Sequence, residues 1–447
     1  MRTAAFHNLG CRVNAYETEA MTEQLKNSGY RIVPFEEKAD VYIVNTCTVT
    51  AIADRKSRQM LHRAKEQNPG AVIVAAGCYA QDGKESLLLD DSVDLLVGNS
   101  MKSQLSVILD RWFSGERQKV YNEPIADVRT YDELPISETE GRSRAFLKIQ
   151  DGCNQFCSYC RIPYVRGRIR SRNPEEVLLE AKRLAAAGFS ELILTGIHLS
   201  SYGRDFDGDY MARTGAPGTE KTNVHLLAVL REIAAVPEVV RIRMGSLEPA
   251  VMTEEFVRSI SQIPEICPQF HLSLQSGCDR VLARMNRRYT TGEYEEICER
   301  LRRYFPDPAI TTDVIVGFPG ETEGEFLETL AFVRRIEFAK IHIFKYSIRE
   351  GTKAAGMPGQ VEEAVKKRRS AILSDAEFAM RMEYAMRRVG TDAEALFEEK
   401  HASGAGWIGH TREMLEAVYE SEEDMEGRIR TFRVTKVLPD GMLVLGS

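Results

Sequence analysis

Residues 151–161 read DGCNQFCSYCR, with thiols at Cys153, Cys157 and Cys160. This loop directly follows an apolar run at 145–149 that predicts a strand. The thiols then sit at a strand's carboxyl end, the edge that carries chemistry in a βα barrel. From 142 to 360 short apolar runs alternate with helical patterns. Strands are predicted at 145–149, 191–195, 239–244, 269–274, 312–316 and 341–346, with helices between them, one over 174–187 ending at Gly188. Right-handed crossovers between six parallel strands build a partial (β/α)6 barrel. Three thiolates can hold three irons of a 4Fe–4S cluster and leave the fourth iron for an exogenous ligand. A structural zinc wants a fourth protein ligand, and no further Cys or His lies nearby in sequence.

Upstream, residues 1–115 follow a doubly wound α/β pattern. Strands are predicted at 2–7, 41–45 and 71–76. Helices are predicted at 14–27, with Asn14 as N-cap, and at 51–67, where Asn68-Pro69-Gly70 stops the chain. Cys11, Cys47 and Cys78 each end an apolar run: HNLGC, YIVNTC and VIVAAGC. Their spacing is about one βαβ repeat. Carboxyl ends of neighbouring parallel strands lie side by side, so the three thiols should converge. Any one alone would be a buried small hydrophobe. Three at equivalent loop positions predict a second cluster, again with an open iron able to carry an exogenous sulfur species. Cys267, Cys278 and Cys298 share no pattern and read as incidental, with Cys278 close to the active face.

Downstream, 116–138 reads as a linker with room for one short strand. Residues 361–388 are helical and basic. Strands are then predicted at 393–398, 411–419, 428–437 and 442–445, with turns at Ser403-Gly404 and Asp440-Gly441. They form a small antiparallel β-barrel of the oligonucleotide-binding sort. The predicted domains are 1–115, 139–370 and 371–447, within a chain of 447 residues. Hydrophobic content of 43% and charged content of 28% suit a soluble globular protein. Nine cysteines, an odd number, argue against a disulfide framework. No apolar stretch reaches membrane-spanning length and MRTAAFHNLG has no signal core, so cytoplasmic residence and no membrane partner are expected. A net charge of −7 means that any nucleic-acid partner must meet a local basic surface. Arg161, Arg166, Arg168, Arg170 and Arg172 are candidates for phosphate contacts beside the cysteine loop, the alternative being a solvated charge run. Residues 386–447, in contrast, carry 8 Lys/Arg against 12 Asp/Glu.

The C-x3-C-x2-C spacing, with Tyr159 before the last cysteine, resembles the signature of radical S-adenosylmethionine enzymes. With the N-terminal triad and the terminal barrel, nearly the whole chain resembles the methylthiotransferases, which replace C–H by C–S–CH3. Segments 151–172, 196–203, 245–249 and 271–291 are most similar to the branch acting on threonylcarbamoyladenosine 37 of tRNA. Other members act on isopentenylated adenosine 37 or on a ribosomal-protein aspartate. The resemblance implies two 4Fe–4S clusters, with S-adenosylmethionine used both as methyl donor and as radical source. It implies a cofactor pocket of Tyr159, Thr195, Gly196, Gln275, Arg288, Asp313 and Tyr346, and no catalytic side chain is assigned beyond the cluster ligands. Arg166, Arg168, Arg170 and Arg172 would face RNA. The terminal barrel is similar to a TRAM domain. The expected partners are a tRNA anticodon stem-loop and a reductant protein such as flavodoxin or ferredoxin, with the enzyme itself a monomer.

Overall fold

A computed structural model describes residues 1–136, 143–208, 222–401 and 406–446. The first sheet contains β1 (Thr3–Asn8), β2 (Arg31–Ile32), β3 (Val41–Thr46), β4 (Val72–Gly77), β5 (Leu95–Val97) and β6 (Val120–Tyr121). Its order is β2-β1-β3-β4-β5-β6, and every pairing is parallel. Every residue of β3 and β4 is buried, as expected of strands covered on both faces. The sheet takes its sixth strand from beyond residue 115, in the segment read as a linker. The first helix, Arg12–Asn27, is capped at Cys11 and not at Asn14. Asn14 is already inside the helix, and its amide donates to Leu9 O (2.7 Å) and Thr46 O (3.0 Å). It ties two cysteine loops together instead of capping.

The central domain has β7 (Arg144–Asp151), β8 (Arg170–Ser171), β9 (Glu191–Gly196), β10 (Arg241–Met244), β11 (Gln269–His271), β12 (Ala309–Val316) and β13 (Lys340–Lys345). The orders are β10-β9-β7-β8 and β11-β12-β13. Parallel bridges Ile242↔Ile266 and Leu247↔Leu272 join the two sheets. The six long-crossover strands therefore form the partial barrel, and only the short β8 runs antiparallel. Along β11–β13 alternate residues Gln269, His271, Thr311, Asp313, Lys340 and His342 face the interior cleft, following the two-residue period of a strand.

The helix Glu363–Met386 leads to a closed barrel of β14 (Asp392–Lys400), β15 (Trp407–Thr411), β16 (Glu416–Tyr419), β17 (Ile429–Val437) and β18 (Leu443–Gly446). Two expectations are corrected here. The run 411–419 is not one strand, because the chain turns at Met414 (φ 68°) and Thr411 N–H bonds Leu415 O at 2.9 Å. The barrel is not wholly antiparallel, since β16 pairs with β18 in parallel. The turn expected at Ser403-Gly404 lies outside the described residues, while Gly441 (φ 91°) makes the turn before β18. No helix among the described residues is long and apolar enough to cross a membrane.

The terminal barrel docks on the amino-terminal edge of the central strands. Glu191, the first residue of β9, accepts from Arg243 Nε at 2.9 Å and from Arg241 Nη1 at 3.4 Å. Both guanidiniums continue outward, Arg241 to Glu394 O (2.7 Å) and Arg243 to Arg412 O (2.9 Å). Glu191, Arg241 and Arg243 are fully buried. Glu191→Ala would leave Arg243 buried without its carboxylate and Arg241 with Glu394 alone, and should cost about 3–5 kcal/mol. The readout is the urea unfolding midpoint, and an unchanged midpoint would refute this role.

Candidate active site

The cysteine loop is fixed from both sides. Gly152 (φ 72°) lets it approach the segment before β8 closely, and a Cβ there would lie 1.8 Å from Arg168 O. Cys153 N–H donates to Gly167 O (3.0 Å), Ser158 N–H to Met285 O (3.0 Å), and Ser158 O accepts from Ala354 N–H (2.7 Å). Burial pushes the Cys160 thiol up to about 12, and Cys157 adds to it. Burial, then Cys157 and Cys160, push Cys153 well up too. Arg287 offsets this locally, donating to Cys157 Sγ at 3.3 Å.

The N-terminal triad also converges. Gly10 (φ 107°) carries Cys11 past Cys47 so closely that a Cβ on Gly10 would lie 2.9 Å from Cys47 Sγ. Burial raises the Cys47 thiol to about 12, with Cys78 and Cys11 contributing. Arg166 Nε donates to Cys78 Sγ at 3.2 Å. Neither triad has all its sulfurs within 4.8 Å of one another. A single tetrahedral ion with Zn–S of about 2.3 Å would hold them about 3.8 Å apart. Three thiols at wider spacing fit a larger inorganic group.

The arginine run is the main correction. Arg166, Arg170 and Arg172 are buried, not turned to solvent. Arg166 bonds Glu17, Asp151 Oδ2 (3.1 Å) and Asn14 Oδ1 (2.7 Å). Arg170 donates to Arg166 O (2.8 Å) and Arg168 O (3.1 Å). Arg172 pairs with Glu133 Oε2 (2.7 Å) and with Glu180. Arg168 packs over Phe156, its guanidinium carbon 4.6 Å from the ring centre. Arg161 pairs with Asp82, joining the cysteine loop to the N-terminal domain. Burial raises the Glu17 and Asp151 carboxyls. Arg166 and Lys148 reverse that effect, aided by Lys102 at Glu17 and Arg170 at Asp151, and hold both well below the usual range.

One cleft of about 910 Å³ is lined by Cys11, Cys153, Cys157, Cys160, Tyr159, Thr195, Gly196, Gln275, Asp313 and Tyr346. Arg288 is not among its walls. Asn286 (φ 62°) turns the chain so that its neighbour Arg287 enters instead. Arg287 also holds Glu248 Oε2 (2.8 Å) and Ser273 O (3.0 Å). Glu248 in turn lies 3.7 Å from His198 Nε2. Sequence reasoning passed over Arg287, Glu248 and His198 as site residues, although the last two lie in the segments GSLEP and GIHLSSYG. Gln275 adopts φ 70° and bridges to β12, its N–H bonding Asp313 O at 2.8 Å. Tyr159, Phe318 and Tyr346 make an edge-to-face aromatic wall with centroids 6.4 and 5.5 Å apart. Cys267 and Cys298 are buried away from the cleft, and Cys278 bonds Glu328 Oε2 at 2.9 Å.

Residues 3–98 match the family described as "Uncharacterized protein family UPF0004", and residues 147–333 match the radical SAM superfamily. The threonylcarbamoyladenosine tRNA methylthiotransferase of Bacillus subtilis is 40% identical over 98% of this chain and 94% of that protein. This chain belongs to the methylthiotransferase family. The methylthiotransferase is also 35% identical, over 95% of its length and 93% of the other, to the tRNA-2-methylthio-N(6)-dimethylallyladenosine synthase of Pelotomaculum thermopropionicum. Among solved structures, the radical S-adenosylmethionine methyltransferase TsrM of Kitasatospora setae shares its fold. The TM-score is 0.58 at 14% identity, covering 79% of this chain and 77% of that one. The methylthiotransferase is therefore a radical S-adenosylmethionine enzyme, a class that uses a 4Fe–4S cluster and S-adenosylmethionine.

Arg166→Lys in the methylthiotransferase should lower the thermal unfolding midpoint, because an ammonium cannot reproduce the forked contacts to Glu17, Asp151 and Cys78 Sγ. The salt dependence of tRNA affinity should stay unchanged. A smaller salt slope at full stability would return this residue to the RNA surface.

Proposed function

We propose that the protein adds a methylthio group to C2 of N6-threonylcarbamoyladenosine at position 37 of tRNA. One observation carries this reading: Cys11 of the first triad and Cys153, Cys157 and Cys160 of the second open onto the same cleft. A C2–H is neither acidic nor polarised, so side-chain acid–base catalysis offers little. Cys153, Cys157 and Cys160 would hold the radical-generating cluster, and Cys11, Cys47 and Cys78 a second 4Fe–4S cluster. When bound, the two clusters and S-adenosylmethionine supply the radical that breaks the C–H bond and the sulfur and methyl that replace it.

The protein's own residues position and shield. Arg287 supports Cys157, and Arg166 supports Cys78. Hydrogen bonds of this kind tune cluster potentials. Tyr159 and Tyr346 narrow the cleft beside the cysteine loop, and Thr195, Gly196 and Gln275 offer polar contacts to the nucleoside cofactor. The anticodon stem-loop would meet β17, where Arg430, Arg433 and Lys436 are exposed and Phe432 stacks on Tyr419 at 3.9 Å. That placement accommodates the acidic composition of the terminal barrel, since a stacking platform with local cations suffices for RNA. Electrons would come from a flavodoxin or ferredoxin. We place the enzyme in the cytoplasm, acting as a monomer. A second reading, with dimethylallyladenosine 37 as substrate, is favoured by the relatives of that name.

A deletion strain should lose 2-methylthio-threonylcarbamoyladenosine from its tRNA nucleoside profile and keep the dimethylallyl derivative, and the reverse pattern would select the second reading. Complementation with Cys47→Ala should fail to restore the product. Anaerobically reconstituted protein should hold about eight iron and about eight sulfide per chain, from two four-iron clusters. About four of each would remove the second cluster.

A further inference from the structure

The cleft continues down the barrel interior, away from the cysteines, to a polar group that none of the roles above employs. His271 on β11, Asp313 on β12 and His342 on β13 bring their donor atoms within 4.8 Å of one another. His271 Nε2 lies 3.3 Å from Asp313 Oδ2, and its Nδ1 meets Thr311 Oγ1 at 3.1 Å. The two imidazole planes are inclined at 42°, with centroids 5.8 Å apart. Burial lowers the His342 pKa, opposed by Asp313 and assisted by His271. This leaves His342 neutral near pH 7, with one donor and one acceptor nitrogen.

Arg12 lines the same cleft, one residue after Cys11. It makes no ion pair among the described residues. Lys340 lines the same wall. Two cations on the wall of one cleft are stabilised by an incoming anion. The same two fixed charges oppose a divalent metal at the His271–Asp313–His342 group, which by ligand type alone could hold one.

The ligand proposed above carries such an anion. Its threonylcarbamoyl arm ends in a carboxylate and bears a hydroxyl and N–H groups, whereas a dimethylallyl arm is apolar. We propose that Arg12, His271, Asp313 and His342 form the subsite that receives this acidic side arm. Arg12 takes the carboxylate, and the two histidines with Asp313 take the hydroxyl and N–H groups. The subsite rests on the proposed substrate and adds to it the reason for its selection. A site built to bond polar groups rejects an arm that lacks them, because its own groups would be left unpaired.

The test uses anaerobic holoenzyme and two anticodon stem-loops, one with the free acid on the arm and one with its methyl ester. Wild type should show a KM about tenfold or more lower for the acid, the scale of one charge-assisted hydrogen bond. Arg12→Gln should collapse that ratio toward one, and Arg12→Lys should recover part of it. His342→Ala, remote from the cysteines, should raise KM for both substrates, with unchanged iron content reporting intact folding. Equal KM values of wild type for acid and ester would overturn the subsite. So would one equivalent of zinc retained by wild type and lost in His342→Ala, which would make the group a metal site. Failure of wild type to form any methylthio product on the acid substrate would instead sink the proposed function.

Discussion

The carboxylate of Glu17 holds the molecule together. It lies on the first helix of the N-terminal domain, fully buried, and is met by Lys102 of its own domain and by Lys148 and Arg166 of the central barrel. Asp151 completes the group, bonding Lys148 at 2.8 Å. Buried charges on this scale are tolerable only when every one is paired, since loss of a partner leaves an uncompensated ion. The pairing therefore fixes how the two domains sit. Arg166 extends from this group to Cys78, and Asp151 stands two residues before Cys153, so one ionic knot sets the placement of both cysteine triads.

The cleft between those triads is chemically graded. Its upper end has the thiols, an aromatic wall and Arg287. Its lower end has imidazoles, a carboxylate and Arg12. The lower end is made by side chains of β11–β13 that point into a barrel interior which, in a fully closed barrel, would be packed with branched apolar residues. The partial closure of this barrel is what leaves room for a polar lining and for a substrate.

Much of this was legible in the sequence because it depends on local periodicity. The six barrel strands, the helix Ala51–Gln67 and the converging loops of Cys11, Cys47 and Cys78 follow from apolar runs and their spacing. What was not legible depends on partners distant in sequence. Arg166 and Arg172 read as a basic surface because Glu17 and Glu133 lie more than thirty positions upstream, and only folding brings them together. The choice between Arg287 and Arg288 turns on the left-handed conformation of Asn286, which no hydropathy pattern encodes. Asn14 had the residue type of a cap but not its position, because the loop hydrogen bonds of its amide begin the helix earlier.

The docking of the terminal barrel through Glu191, Arg241 and Arg243 has a geometric consequence. That barrel is anchored at the amino-terminal edge of strands whose opposite edge carries the thiols. The separation is about a strand length, roughly 20 Å for six residues. On the proposed placement of RNA at β17, a base stacked there is held away from the thiols. The proposed target nucleotide would then swing out of its loop and enter the cleft alone, and such extrusion is least costly for a base that is already unpaired. On that proposed placement, an open loop, in place of a duplex, is the shape of substrate that suits this architecture.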